Sequence, residues 1–217
     1  LRAGAYGATA AITNPANLPL GRMYHMEAFA QYTPREGGVS FGSVIVDSST
    51  NRIRAGVASR AIFGDGEHGY RGSESRLSLG TAISEAIGLG LSMRYLRLVT
   101  RDRTQDGYAL SPELRVLTMD ASLRVTPFEG FHVAAFGYNL IRTHSLVAPT
   151  QLGGGVAYQY ETKFQVGFDL LVDLTTFTSP RPLYGGGIEY WFAYVLALAV
   201  LLVRPQGLFG ERIIERI

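Results

Sequence analysis

The sequence predicts an all-β fold, an up-and-down antiparallel transmembrane β-barrel of about ten strands, from three observations. Apolar and polar residues alternate with period two from Met23 to about Phe192. The alternating segments are 10 to 15 residues long, which exceeds the usual strand of a globular sheet and suits a tilted crossing of a bilayer. Their connections alternate between tight turns and longer polar loops, so one end of the sheet carries turns and the other loops, the asymmetry of outer-membrane barrels.

Composition agrees. Of 217 residues, 47% are hydrophobic and 18% charged, which excludes long disorder and is thin cover for the exterior of a soluble barrel. The chain has 26 Gly, 12 Tyr and 11 Phe, a mixture typical of many strands joined by tight turns.

The elements follow in order. Residues 1–21 form a Gly/Ala-rich segment, residues 22–192 the barrel, and residues 193–217 a C-terminal apolar helix with an amphipathic tail. In the first strand Tyr24, Met26, Ala28, Ala30 and Tyr32 share one face, and His25, Glu27 and Gln31 the other. Tyr24 and Tyr32 lie about 27 Å apart along that strand, roughly 20 Å along the normal after a 40° tilt, and so could bracket an apolar band. The same counting places strands near 22–33, 38–47, 51–63, 74–83, 88–99, 112–126, 131–141, 151–160, 163–175 and 183–192. Arg94 and Arg97 cannot share a face of a regular strand, which predicts a bulge or a wet strand end near Tyr95. Turns are expected around 47–51, 84–87, 127–130 and 161–163, and loops at 34–37, 64–72, 100–111, 142–150 and 176–182. Gly153–Gly155 and Gly185–Gly187 read as strand positions where the backbone bends or a neighbour comes close.

Formal charge is +2 and Lys163 is the sole lysine; the arginines are scattered, so no nucleic-acid stripe is present. With no cysteine there is no disulfide, thiolate or Cys-zinc chemistry. No Gly-rich sequence is followed by the Lys-Ser/Thr of a nucleotide loop, and no Gly-x-Ser-x-Gly elbow occurs. The histidines lack ligand spacing, and the oxygen-rich loops at 64–69 and 101–107 match no calcium motif. No enzyme activity, cofactor or metal is therefore expected. The chain starts at Leu1 without Met, which reads as a processed or truncated product.

If the alternate positions face lipid, the charged ones turn inward. The lumen-lining candidates are Glu27, Arg52, Arg54, Arg60, Arg76, Asp120, Arg124, Asp169 and Asp173, which either pair across strands or line a water-filled path. The expected partners are a lipid bilayer and a small, apolar solute. A structural or partner-binding outer-membrane barrel without transport is the alternative.

Two resemblances carry further expectations. Tyr6-Gly7-Ala8, followed by Asn14-Pro15-Ala16-Asn17 just before the first strand, resembles the start of outer-membrane barrels related to the long-chain fatty-acid transporter family. The Pro127-Phe128-Glu129-Gly130 turn and the Gly137–Ile141 strand end are similar in style, so the likeness covers residues 1–192. It implies a bacterial outer-membrane location and porin-like or transporter-like passage or binding of a small solute. Leu202-Val203-Arg204-Pro205-Gln206-Gly207-Leu208-Phe209-Gly210 is similar to the cytoplasmic C-terminus of branched-chain amino-acid ABC transporter permeases. That likeness implies an inner-membrane fragment instead, and together the two describe a composite sequence joined near Phe192 or Ala193.

Overall fold

Period-two patterning over this length dictates extended chain, and the computed structural model shows how the strands assemble. It describes residues 2–33, 38–49, 52–64, 70–104, 107–110, 113–141, 148–160, 164–176, 181–189 and Leu202. The strands are β1 (Tyr24–Thr33), β2 (Gly38–Asp47), β3 (Ile53–Gly64), β4 (Tyr70–Ala82), β5 (Ile87–Thr104), β6 (Gly107–Leu110), β7 (Leu114–Phe128), β8 (Phe131–Tyr138), β9 (Gln151–Tyr160), β10 (Phe164–Asp173) and β11 (Arg181–Glu189). Ten of them form one antiparallel sheet in the order β1-β2-β3-β4-β5-β7-β8-β9-β10-β11, and β6 pairs only with the end of β5.

This is the expected up-and-down meander, but the sheet is open. Neither β1 nor β11 has a second partner strand among the described residues. The expected loop at 100–111 is corrected as well, because β5 runs on to Thr104 and returns as β6 in a hairpin. No bulge occurs near Tyr95. The pairing of β5 is regular on both sides, with Arg94 and Arg97 on opposite faces and Arg97 exposed at the loop end. Among the described residues the one register irregularity lies between Val125 and Phe128, beside the turn at Gly130. The expected C-terminal helix and tail at 193–217 lie, Leu202 apart, outside the described residues, as do the loop positions 65–69. Among the described residues no helix is long and apolar enough to cross a membrane.

The two faces of the sheet differ sharply. Register places Val57, Leu77, Met93 and Met119 side by side on one face, and all but Met119 are at least 46% exposed. Adjacent rows hold Leu79, Leu91, Leu89 and Leu123, also exposed. Aromatics flank these rows. Stacked Phe128–Phe131 and Tyr160–Phe164 pairs lie at the turn end, and Tyr32, Phe63 and Tyr95 lie toward the loop end. The alternate positions, among them Arg76, Ser78, Ser92, Thr118, Asp120 and Gln165, are buried.

They are buried by the chain's own residues 2–20. Gly7–Thr13 forms a helix, α1, and Pro15–Leu20 a 3-10 helix that starts on proline, whose missing N–H is no loss at a helix start. Ala5, Ala8, Ala10, Ala11 and Leu18 pack on Val44, Val46 and Ala58, and Ala3 packs on Ala134, Phe136, Ala157 and Leu171. Small side chains let this backbone approach the sheet closely, so sheet side chains hydrogen-bond directly to it. Asp169 accepts from the amides of Arg2 at 2.7 Å and Ala3 at 3.2 Å. Gln165 Nε2 donates to the Gly4 carbonyl at 2.7 Å, Tyr138 Oη to that of Thr13 at 2.5 Å, and the Ala16 amide donates to Ser122 Oγ at 3.1 Å.

Glycines form the floor of this contact. A Cβ at Gly80 or Gly88 would strike the carbonyl oxygen of Pro15 or Ala16, and one at Gly90 would overlap the Ala16 nitrogen and the Pro15 carbonyl carbon. Gly90→Val is therefore expected to cost about 1–3 kcal/mol and to speed amide hydrogen exchange at Ala16 and Asn17. Gly185→Ala, where nothing lies within 4 Å, serves as the control, and equal exchange in both variants would refute the docking role of Gly90.

Candidate functional site

Inward-facing even positions of β3, β4, β5 and β7, four consecutive strands of the sheet, bring Arg60, Glu74, Arg76, Arg94 and Asp120 together, with Arg60 opposite Glu74 and Arg76 opposite Arg94 in the register. Arg60 binds Glu74 Oε2 through Nε at 3.1 Å and Nη2 at 2.6 Å, a forked contact that a lysine could not make. Arg76 reaches Glu74 Oε1 at 3.5 Å and Asp120 Oδ2 at 3.3 Å, and also donates to the Ile12 carbonyl at the end of α1. Asp120 Oδ1 accepts from the Asn139 amide at 2.8 Å. Asn139 takes a left-handed backbone conformation, φ 54°, which asparagine tolerates better than most residues, and its Oδ1 accepts from Arg94.

The cluster holds three guanidiniums (Arg60, Arg76, Arg94) against two carboxylates (Glu74, Asp120). Arg94 feels the charges of Glu74 and Asp120 without a direct ion pair to either among the described residues, and its Nε and that of Arg76 lack hydrogen-bond partners. Beside it lies a cavity of about 230 Å³, with Ile12, Phe29 and Ala58 as apolar lining and Arg60, Glu74 and Arg94 as polar lining. The arrangement combines an apolar wall with surplus hydrogen-bond donors.

Of the residues expected to face a lumen, Arg60, Arg76 and Asp120 belong to this cluster. Asp169 instead holds the N-terminal segment. Arg124 is buried on the same face, and its Nε has no partner. Four candidates lie apart. Glu27 is on edge strand β1, half exposed beside His25 at 3.3 Å. Arg52 is exposed in the turn before β3. Arg54 binds the Ser48 carbonyl at 3.4 Å. Asp173 closes the turn after β10 by accepting from the amides of Thr175 at 3.0 Å and Thr176 at 2.9 Å.

Sequence reasoning missed Glu74, although it shares parity with Arg76, because the strand was started at Glu74 rather than Tyr70. It missed Arg94 by reading its conflict with Arg97 as local irregularity. Asn139, Gln165 and Tyr138 carry no local signal, since their partners lie far away in sequence. Comparison of the chain with protein-family models, with curated proteins and with solved structures gives no match, so the functional reading is built on fold and geometry.

Proposed function

We propose that this chain forms the wall of an outer-membrane type β-barrel that binds or passes a small amphipathic solute along its inner, polar face. The supporting observation is the partition of side chains across the sheet. A ten-strand face of exposed Leu, Val, Met and aromatic residues is far larger than the apolar patches that soluble monomers show to water. From Ile87 to Tyr95 the apolar rows span about 27 Å along the strand, roughly 21 Å after tilt, close to the band height of known barrels.

In hydrocarbon an open sheet edge is not tolerated, so this function requires that the edges of β1 and β11 be joined, to each other or through further strands. The solute would meet Arg94 and Arg60 with its polar end and Phe29, Ile12 and Ala58 with its apolar part. Passage would also require movement of residues 2–20. A purely structural wall is the second reading, favoured by the close packing of those residues.

The test is electrophoresis of the detergent-refolded protein with and without boiling, followed by solute flux from liposomes. A heat-dependent shift with flux is expected. A shift without flux would leave the structural wall, and no shift would overturn the barrel.

A further inference from the structure

We propose that Arg71, Arg97 and Arg115 form a site for the phosphate of an anionic lipid headgroup on the outward face at the loop end of the sheet, which rests on the membrane reading above. Arg97 and Arg115 are Cα partners across β5 and β7, and both side chains are more than half exposed on the apolar face. Like charges directly opposite in an antiparallel pair are unfavourable unless an anion sits between them. Glu113 is the one carboxylate paired with them among the described residues. It contacts Arg97 through Oε1 and Arg115 through Oε2 at 2.7 Å, so a single negative charge serves two cations. Arg71 stands on the same face, two rungs further toward the loop end than Ser73, the partner of Arg97 is Ser73 itself, and Arg71 makes no ion pair among the described residues.

Position identifies the class of ligand. Tyr95 and Leu117, paired with each other on the same face, are the last apolar row before Arg97 and Arg115. Arg97 and Arg115 therefore lie beyond that row, and Arg71 shares the next row with Phe63 and Val99, so the guanidiniums interleave with the loop-end edge of the apolar band, at headgroup depth. A planar guanidinium fork matches phosphate oxygens in pairs. Among the described residues the turn end carries no such surplus, since exposed Arg22 and Arg52 are offset there by Asp47, Glu85 and Glu129.

The experiment compares the wild-type chain, R97Q/R115Q and E113Q after refolding into phosphatidylcholine vesicles containing phosphatidylglycerol, with retained lipid counted by native mass spectrometry. Wild type is expected to retain phosphatidylglycerol, R97Q/R115Q to bind it about 25-fold more weakly, and E113Q to bind it more tightly because the competing carboxylate is gone. Heat-dependent mobility in pure phosphatidylcholine should be the same for all three. Equal retention by wild type and R97Q/R115Q, or release of the lipid by inorganic phosphate, would overturn the headgroup site alone. Failure of the wild type to show the mobility shift in any vesicle would overturn the membrane reading, and the site with it.

Discussion

Replacing Glu74 by alanine is expected to remove about 3–5 kcal/mol of folding stability, read as the shift in urea midpoint of the refolded protein. The carboxylate is buried, with 8% of its side chain exposed, and it faces Arg60 at 2.6 Å and Arg76 at 3.5 Å. Removing it leaves three guanidiniums with Asp120 as their remaining carboxylate. The loss comes mainly from stranding buried positive charge, because the attraction within an intact buried pair is largely offset by desolvation. Glu74→Gln, which keeps an acceptor of similar shape, should lose less than the alanine variant. Glu27→Ala, at a half-exposed carboxylate on the edge strand, should change stability by under about 0.5 kcal/mol. Equal effects at Glu74 and Glu27 would show that the cluster is not a stabilising unit.

Leu91→Arg is expected to cost about 2–4 kcal/mol when the protein is refolded into bilayers, the depth-dependent penalty for a cation on the lipid face of a barrel. Leu91 is 52% exposed and sits between Leu79 and Ala121 in the register, in the interior of the apolar rows. On a water-facing surface the same substitution would be nearly neutral, since it would exchange an exposed leucine for a solvated charge. The sign and size of this change therefore discriminate between lipid and water as the solvent of that face. Equal bilayer stability of Leu91→Arg and wild type would exclude lipid contact there.

Much of the sheet was legible from residue parity. Strand β9 was bounded at 151–160 and β2 at 38–47, because each carries clean alternation between turn residues. Strand β5 shows how parity divides a pair of charges. Arg94 and Arg97 predict a bulge or a wet strand end; the pairing is regular, with Arg94 turned inward and Arg97 outward and exposed at the loop end. The site was half legible. Arg60, Arg76 and Asp120 were found because a charge on the inward parity of a long strand has to be accounted for. Arg52 and Asp173 lie apart from the cluster, Arg52 exposed just before β3 and Asp173 buried at the last position of β10, because parity fixes a side chain's face and not its height along the strand.

By itself the sequence determined ten of the strands, their up-and-down order and the two chemical faces, because hydrophobic period and turn spacing are local properties of the chain; it did not show α1, the 3-10 helix or β6. Only the tertiary structure decided that residues 2–20 lie on the polar face. Their alanines and glycines carry no periodic signal, and their backbone groups are satisfied by Asp169, Gln165, Ser122 and Tyr138, more than a hundred residues away. It also decided which charges become a cluster. Register sets Arg60 opposite Glu74 and brings Arg76 within reach of Asp120, and burial turns that proximity into a strong interaction because water no longer screens the charges.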